Sequence, residues 1–240
     1  MESIVKISEW DSRFFGYNIA SFKPSGLINS DLVTVIKDLR NKNVKLIYFF
    51  VNQDDEISNK LIKNASGFLV DEKVTFCTKI IKQNVISGSD FVVPYNLNYP
   101  SEKLKSLALQ SGAFSRFNID SNFHNNEYQK LYLEWIEKSV RKEISDIVLV
   151  YKDENDEKGF ITLAVRNDIG SIGLIAVDEK ERGKSIGKKL VNEAFIYFIE
   201  RNIESVEVVT QKANDGACKF YKSLGFEIKS IVNVYHLWIK

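Results

Sequence analysis

Apolar positions along the first eighty residues switch between two periods. In SDLVTVIKDLRNKN, Leu32, Val35, Ile36 and Leu39 recur at helical spacing behind a Ser30/Asp31 cap, which predicts a helix. Phe14 to Phe22 and Lys45 to Val51 are rich in aromatic and β-branched residues and read as strands. DEISNKLIKNASGF reads as a second helix stopped near Gly67, and VDEKVTFCTKII alternates as a strand. KQNVISGSDFVVPYNLNYP then breaks the pattern with Pro, Ser-Gly-Ser and Asn, so a boundary is expected near residue 88. The expectation is a small α/β domain over 1–88 and a second domain over 89–240.

Past the boundary the pattern predicts a helix from Ser101 to Gln110 and a loop, SRFNIDSNFHNN. An amphipathic helix, EYQKLYLEWIEKSVRKEI, should follow. Strands near Ile147–Lys152 and Lys158–Val165 flank the acidic turn DENDE, a hairpin signal. Ser171 to Val177 is a further strand. Next comes a helix with Ile186, Leu190, Val191, Ala194 and Phe198 on one face. Ser205 to Thr210 reads as a strand. In TQKANDGACKFYKSLGFE, Asn214 or Asp215 caps a short helix carrying Ala217, Phe220, Tyr221 and Leu224 at i, i+3, i+4, i+7; Gly225 ends it and Phe226 begins a last strand.

Composition narrows the classes. With 44% hydrophobic residues in 240, a packed core is expected, and a net charge of +1 argues against nucleic acid or a membrane surface as partner. Cys77 and Cys218 form no CxxC pair and read as reduced thiols of a cytoplasmic protein. The opening MESIVKISEWDSRFF lacks an apolar signal core, and Leu46 to Val51 is too short for a membrane span of about 20 residues. His124 and His236 have no close Cys or carboxylate companions, so no metal is expected.

The candidate chemistry sits in VDEKERGKSIGKKL, Val177 to Leu190. Gly183-Lys184-Ser185 resembles the end of a nucleotide-hydrolysing phosphate loop, but Asp178 stands where such a loop needs its first glycine. GxGxxG does not occur here either. What remains is Arg182-Gly183-Lys184-Ser185-Ile186-Gly187 after a strand and opening a helix. Free N–H groups and the positive end of a helix dipole hold an anion there, glycines admit close approach, and Arg182, Lys184 and Lys188 add charge. An ordinary strand-to-helix turn with solvated lysines is the alternative.

Arg-Gly-Lys-x-Ile-Gly, followed by Asn-x-x-Ala-x-x-x-Tyr-x-x-x-Gly-Phe, resembles the GCN5-related N-acetyltransferase superfamily over roughly residues 145 to 240. The resemblance implies a mixed, largely antiparallel sheet with splayed central strands, and acetyl-CoA as cosubstrate with its pyrophosphate on Arg182 to Lys188. The family's loop is (Gln/Arg)-x-x-Gly-x-(Gly/Ala), and Ser185 replaces its glycine. The pantetheine arm would lie between Ser171–Val177 and Ser205–Thr210, pairing with backbone around Ile175, Ala176 and Val177. Asn214 would face that arm. Tyr221 matches the family's general acid, and a backbone N–H near Val177 would polarise the thioester. The strand Ser171–Val177 carries no carboxylate, so the base is expected to be a relayed water.

Trp10-x-x-x-Phe14-Phe15-Gly16, Ser115-Arg116-Phe117, Tyr132-x-x-Trp135-Ile136-Glu137, Ile172-Gly173-Leu174-Ile175-Ala176 and the stretch from Thr210-Gln211 to Tyr221 are similar to the TDP-fucosamine acetyltransferases. That similarity implies acetylation of the 4-amino group of a dTDP-4-amino-4,6-dideoxyhexose, a surface-glycan precursor, by a homodimer. Phe15, Arg116, Phe117, Trp135, Arg141 and Gln211 would bind the nucleotide sugar, with cations for its diphosphate and aromatics for its base. The bland readings are a core stripe for Trp135, an exposed loop for His124, and a strand anchor for Phe14-Phe15. Competing functions are acetylation of an antibiotic or a peptide N-terminus, and a non-catalytic acyl-CoA-binding module.

Overall fold

A computed structural model describes residues 4–24, 28–153 and 156–239. In chain order the elements are β1 (Ile4–Ile7), α1 (Glu9–Phe15), β2 (Asn18–Lys23), α2 (Asn29–Asn41), β3 (Val44–Asn52), α3 (Glu56–Asn64) and β4 (Phe68–Lys79). They continue as β5 (Val92–Pro94), α4 (Glu102–Ser111), α5 (Arg116–Ile119), α6 (Glu127–Val140), β6 (Ile147–Asp153), β7 (Asp156–Arg166) and β8 (Ile169–Val177). The last are α7 (Ile186–Ile199), β9 (Ser205–Gln211), α8 (Asp215–Ser223) and β10 (Glu227–Trp238).

The chain divides into two compact units. One holds Met1–Val74, Gln211–Ala213 and Ser230–Lys240; the other holds Thr75–Thr210 and Asn214–Lys229. The stretch read as a boundary, near residue 88, lies within the second unit, and the contact division falls inside β4 instead.

In the first unit the strand order is β1-β2-β3-β10, with β2 and β3 parallel and the other pairs antiparallel. Alternation sends Ala20, Phe22, Ile47, Phe49, Val51, Tyr235 and Leu237 into a core against Leu32 and Leu39 of α2 and Ile62 of α3. Asn59 of α3 ties this core together. Its Nδ2 donates to the carbonyls of Asn52 (3.0 Å), Gln53 (3.4 Å) and Asp55 (2.7 Å). Its Oδ1 accepts from Asn233 Nδ2 at 2.8 Å and the Tyr235 hydroxyl at 2.7 Å.

Phe14 and Phe15 are not strand residues. They end α1, whose first turn carries Glu9 and Asp11 and whose C-cap Gly16 takes φ 79°. Trp10 and Phe14 stack one turn apart at 5.0 Å, so aromatics that suit a strand are used as a helix face. α2 begins at Asn29 with Ile28 at the cap position, so Ser30 and Asp31, expected as the cap, lie inside its first turn.

In the second unit the order is β4-β9-β8-β7-β6-β5. β5 to β8 form antiparallel pairs, and β8 runs parallel to β9. The expected mixed, largely antiparallel α/β sheet is what forms. Leu104, Leu107 and Ala108 of α4 and Ile136 and Val140 of α6 pack on Val148, Val150 and Phe160. The stretch read as a loop after Ser115 contains one helical turn, α5, capped by the Ser115 hydroxyl accepting from Phe117 N at 3.3 Å. Four residues are too few to show a period. The DENDE turn falls partly on residues 154 and 155, outside the described residues.

Candidate active site

β8 leaves its neighbour at a defined point. It pairs with β9 only at Gly170↔Val206, Ser171↔Glu207 and Ile172↔Val208. On its other edge β8 pairs with β7, and the register shifts between Ile161↔Ile175 and Leu163↔Ile172. Gly173 and Leu174 thus face Thr162 alone, which is a β-bulge. The Leu174 N–H donates to the Thr162 hydroxyl at 2.8 Å. From Gly173 to Val177 the edge toward β9 carries no ladder pair, so the expected splay is present and Ile175, Ala176 and Val177 line it.

The strand then runs into a short 3₁₀ turn, Glu179–Glu181, and α7. Gly183 takes φ 82° and Ser185 takes φ 60°, ψ 14°, both left-handed. A Cβ at Gly183 would meet nothing within 4 Å, so it is conformation that calls for glycine there. Ser185 occupies the N-cap without a side-chain cap bond, and no acidic residue stands in the first turn of α7. The first N–H groups of α7 and its dipole therefore point at an unopposed anion position. Gly187 is a packing glycine, since a Cβ would lie 3.1 Å from the Phe220 ring. The five α7 residues expected on one face, Ile186, Leu190, Val191, Ala194 and Phe198, are all buried.

The loop's cations are partly engaged. Lys184 pairs with Glu181 at 2.9 Å, and Arg182 Nε donates to the Val177 carbonyl at 3.3 Å. Lys188 is exposed. Asp178, the residue that excludes a nucleotide-hydrolysing loop, is buried and neutralised. Lys103 of α4 pairs with it at 2.5 Å, and its other oxygen accepts from Lys180 N at 3.0 Å. The Lys103 bond, then that of Lys180 N, holds the Asp178 carboxyl below its ordinary range, and the same pair holds the Lys103 amine above its own. Sequence reasoning missed Lys103, which lies 75 residues away.

Asn214 caps α8, its side chain accepting from Ala217 N at 3.1 Å. Of the face expected on α8, Tyr221 alone is fully buried, at 3% exposure, among Phe76 (5.7 Å), Phe220 (5.4 Å) and Phe226 (5.6 Å). Burial pushes its phenol well above the ordinary tyrosine range, so it stays protonated at neutral pH.

The expected sugar-site residues are distributed. In the second unit the Arg116 guanidinium lies 4.7 Å over the Phe117 ring, and Phe117 contacts Phe123 at 5.5 Å. Trp135 is half-buried and edge-on to Tyr132 at 4.9 Å. Arg141 is exposed and paired with Glu137 one turn back. His124 is exposed. Phe15, half-buried beside Phe14 at 5.0 Å, and Gln211 belong to the first unit. Among the described residues no cluster of His, Cys, Asp and Glu could hold a metal, and no helix is long and apolar enough to cross a membrane.

Comparison with known proteins identifies the family and the fold. The family model described as "Acetyltransferase (GNAT) family" matches residues 112–226. An uncharacterized N-acetyltransferase of Methanocaldococcus jannaschii is 30% identical over 201 residues, 80% of this chain and 89% of that protein. The dTDP-fucosamine acetyltransferase of Escherichia coli O6:H1 is 28% identical over 149 residues, 61% of this chain and 62% of that enzyme. Among solved structures, a GCN5-related N-acetyltransferase from Sphaerobacter thermophilus superposes with a TM-score of 0.64 at 14% identity, covering 99% of this chain and 77% of that one.

Proposed function

This chain belongs to the GNAT acetyltransferase family and is an acetyl-CoA-dependent N-acetyltransferase; from that premise we propose that its acceptor is the amino group of a nucleotide-linked amino-deoxy sugar of the dTDP-4-amino-4,6-dideoxyhexose type, made for surface glycan. The observation that carries the proposal is the similarity to the E. coli enzyme. It covers 61% of this chain, more than the segment 112–226 holds, so it extends beyond the residues of the family model. The side chains of the second unit suit such a ligand. Arg116 over Phe117 offers a cation beside an aromatic face, for a diphosphate and a base, and the half-buried Trp135 adds a second ring.

The chemistry assigned to the site is direct attack. The neutral amine nitrogen bonds to the thioester carbonyl carbon, and a backbone N–H of the splayed edge near Val177 stabilises the oxyanion. As the C–S bond breaks, the Tyr221 hydroxyl gives its proton to the departing sulfur. Burial keeps the Tyr221 hydroxyl protonated at neutral pH and makes it a weaker acid, so the transfer is coupled to C–S cleavage, when the sulfur is most basic, and the phenolate then regains a proton through water. The ammonium proton leaves through water, because β8 carries no carboxylate. The cradle for the pyrophosphate is the turn from Arg182 to Lys188, where the left-handed Gly183 and Ser185 turn the backbone beneath the first N–H groups of α7.

Thiol release from acetyl-CoA over a panel of nucleotide amino sugars, peptides and aminoglycosides tests the reading. Turnover with a dTDP-4-amino-4,6-dideoxyhexose is expected. Turnover with a peptide or an aminoglycoside alone would overturn the acceptor assignment, and tight acetyl-CoA binding without release on any amine would make the chain a binding module.

A further inference from the structure

We propose that Thr162 is a positioning residue for acetyl-CoA: its hydroxyl holds β8 in the bulge from which the cosubstrate slot opens. This rests on the acetyltransferase reading above but not on the identity of the acceptor.

Thr162 lies on β7, next to the sheet's point of divergence, and is 3% exposed. Two β8 residues, Gly173 and Leu174, stand opposite it, and the Leu174 N–H donates to its Oγ1. A side chain therefore takes the place of a main-chain acceptor at one step of the ladder. The last residue of β8 that pairs with β9 is Ile172, immediately before this step. The bulge and the divergence thus coincide in one stretch of backbone, as expected when an extra residue bends a strand. Gly173 fits the same device. A Cβ there would lie 2.6 Å from Thr162 Oγ1, closer than the hydroxyl tolerates, so glycine at 173 is what lets the hydroxyl reach Leu174. Without that acceptor, Leu174 would carry a half-buried N–H with no partner in the bulge, and regular pairing at Thr162 would recover it. A regular β8 turns its following residues to the opposite sides and displaces the edge from Gly173 to Val177 that faces the cosubstrate.

Thr162→Val keeps the shape and removes the acceptor. Titration calorimetry with acetyl-CoA should show affinity reduced by about tenfold, about 1.4 kcal/mol, while Thr162→Ser stays at the wild-type value. Thermal melts on the same samples separate this from plain destabilisation. A purely structural residue would lower Tm and leave the affinity and the acetyl-CoA KM unchanged, and that result would overturn the proposal. Should Thr162→Val not fold, Gly173→Ala, which forces the hydroxyl off Leu174, should show the same loss; wild-type affinity in folded Gly173→Ala would overturn the proposal equally. No acceptor amine enters the titration, so a wrong acceptor assignment leaves its outcome untouched.

Discussion

Ser185 offers a test in which structure sets both sign and size. It stands at the α7 N-cap with φ 60° and ψ 14°, and no cap bond uses its hydroxyl. A residue with a Cβ pays about 1–2 kcal/mol for the left-handed region. Glycine avoids that cost but gives back about 0.4–1 kcal/mol through the greater freedom of the unfolded chain. The balance favours Ser185→Gly by about 0.5–1 kcal/mol. In a chain of this size 1 kcal/mol moves Tm by about 2–4 °C, so a rise of about 1–4 °C is expected in a thermal melt without ligand. Ser185→Ala keeps the backbone cost and loses the unused hydroxyl, and should melt within about 1 °C of the parent, since changes of this kind lie near ±0.5 kcal/mol. Acetyl-CoA affinity should hold or improve in the glycine variant, because the backbone beneath the proposed pyrophosphate position loses a side chain. A lower Tm for Ser185→Gly, or a drop of several degrees for Ser185→Ala, would refute the reasoning and give the hydroxyl work that the cap geometry denies it.

Three further outcomes are expected. Tyr221→Phe should lower kcat by about 10²- to 10⁴-fold with acetyl-CoA affinity unchanged. Because the phenol's pKa is raised, its acid form persists as pH climbs, so kcat should show no tyrosine-dependent fall below the ordinary value of about 10. A fall near pH 8 that disappears in Tyr221→Phe would contradict this. Asn59→Ala strands the Tyr235 hydroxyl and Asn233 Nδ2, while the Asn52 and Asp55 carbonyls keep their main-chain donors, Asp55 N and the N–H of residue 59. It should cost about 3 kcal/mol, from buried groups worth about 1–3 kcal/mol each, read as the urea midpoint at unchanged m-value.

What the sequence revealed follows from range. The α7 face and the Asn214 cap are set within one or two turns, and both were legible from spacing. The switch from Gly183 to α7 was equally local. α1 was misread because Trp10, Phe14 and Phe15 carry strand preference, whereas Glu9, Asp11 and Gly16 at its ends decide for helix. Lys103 could not be found, because its partner Asp178 is reached only through the packing of α4 on β8. The bulge was equally invisible. Thr162 sits in an alternating strand whether or not its neighbour carries an extra residue, and register belongs to the pair of strands.

The pairing of β10 with β3 bears on how the chain is made. β3 receives one neighbour, β2, from residues just before it, but its other neighbour spans Val232↔Asn52 to Trp238↔Leu46. The bonds from Asn233 and Tyr235 to Asn59 close loops of 174 and 176 residues. During synthesis the early segment therefore waits, with a bare β3 edge and half a core, until residues 75–210 and the following strand have been translated. Such an edge invites pairing with another nascent chain, and the polar residues at its ends, Lys45 and Asn52, blunt it only at its margins. The β3 segment meets its second partner strand only after the intervening chain has been made, and a closure over that range leaves apolar surface and a strand edge exposed in the folding intermediates.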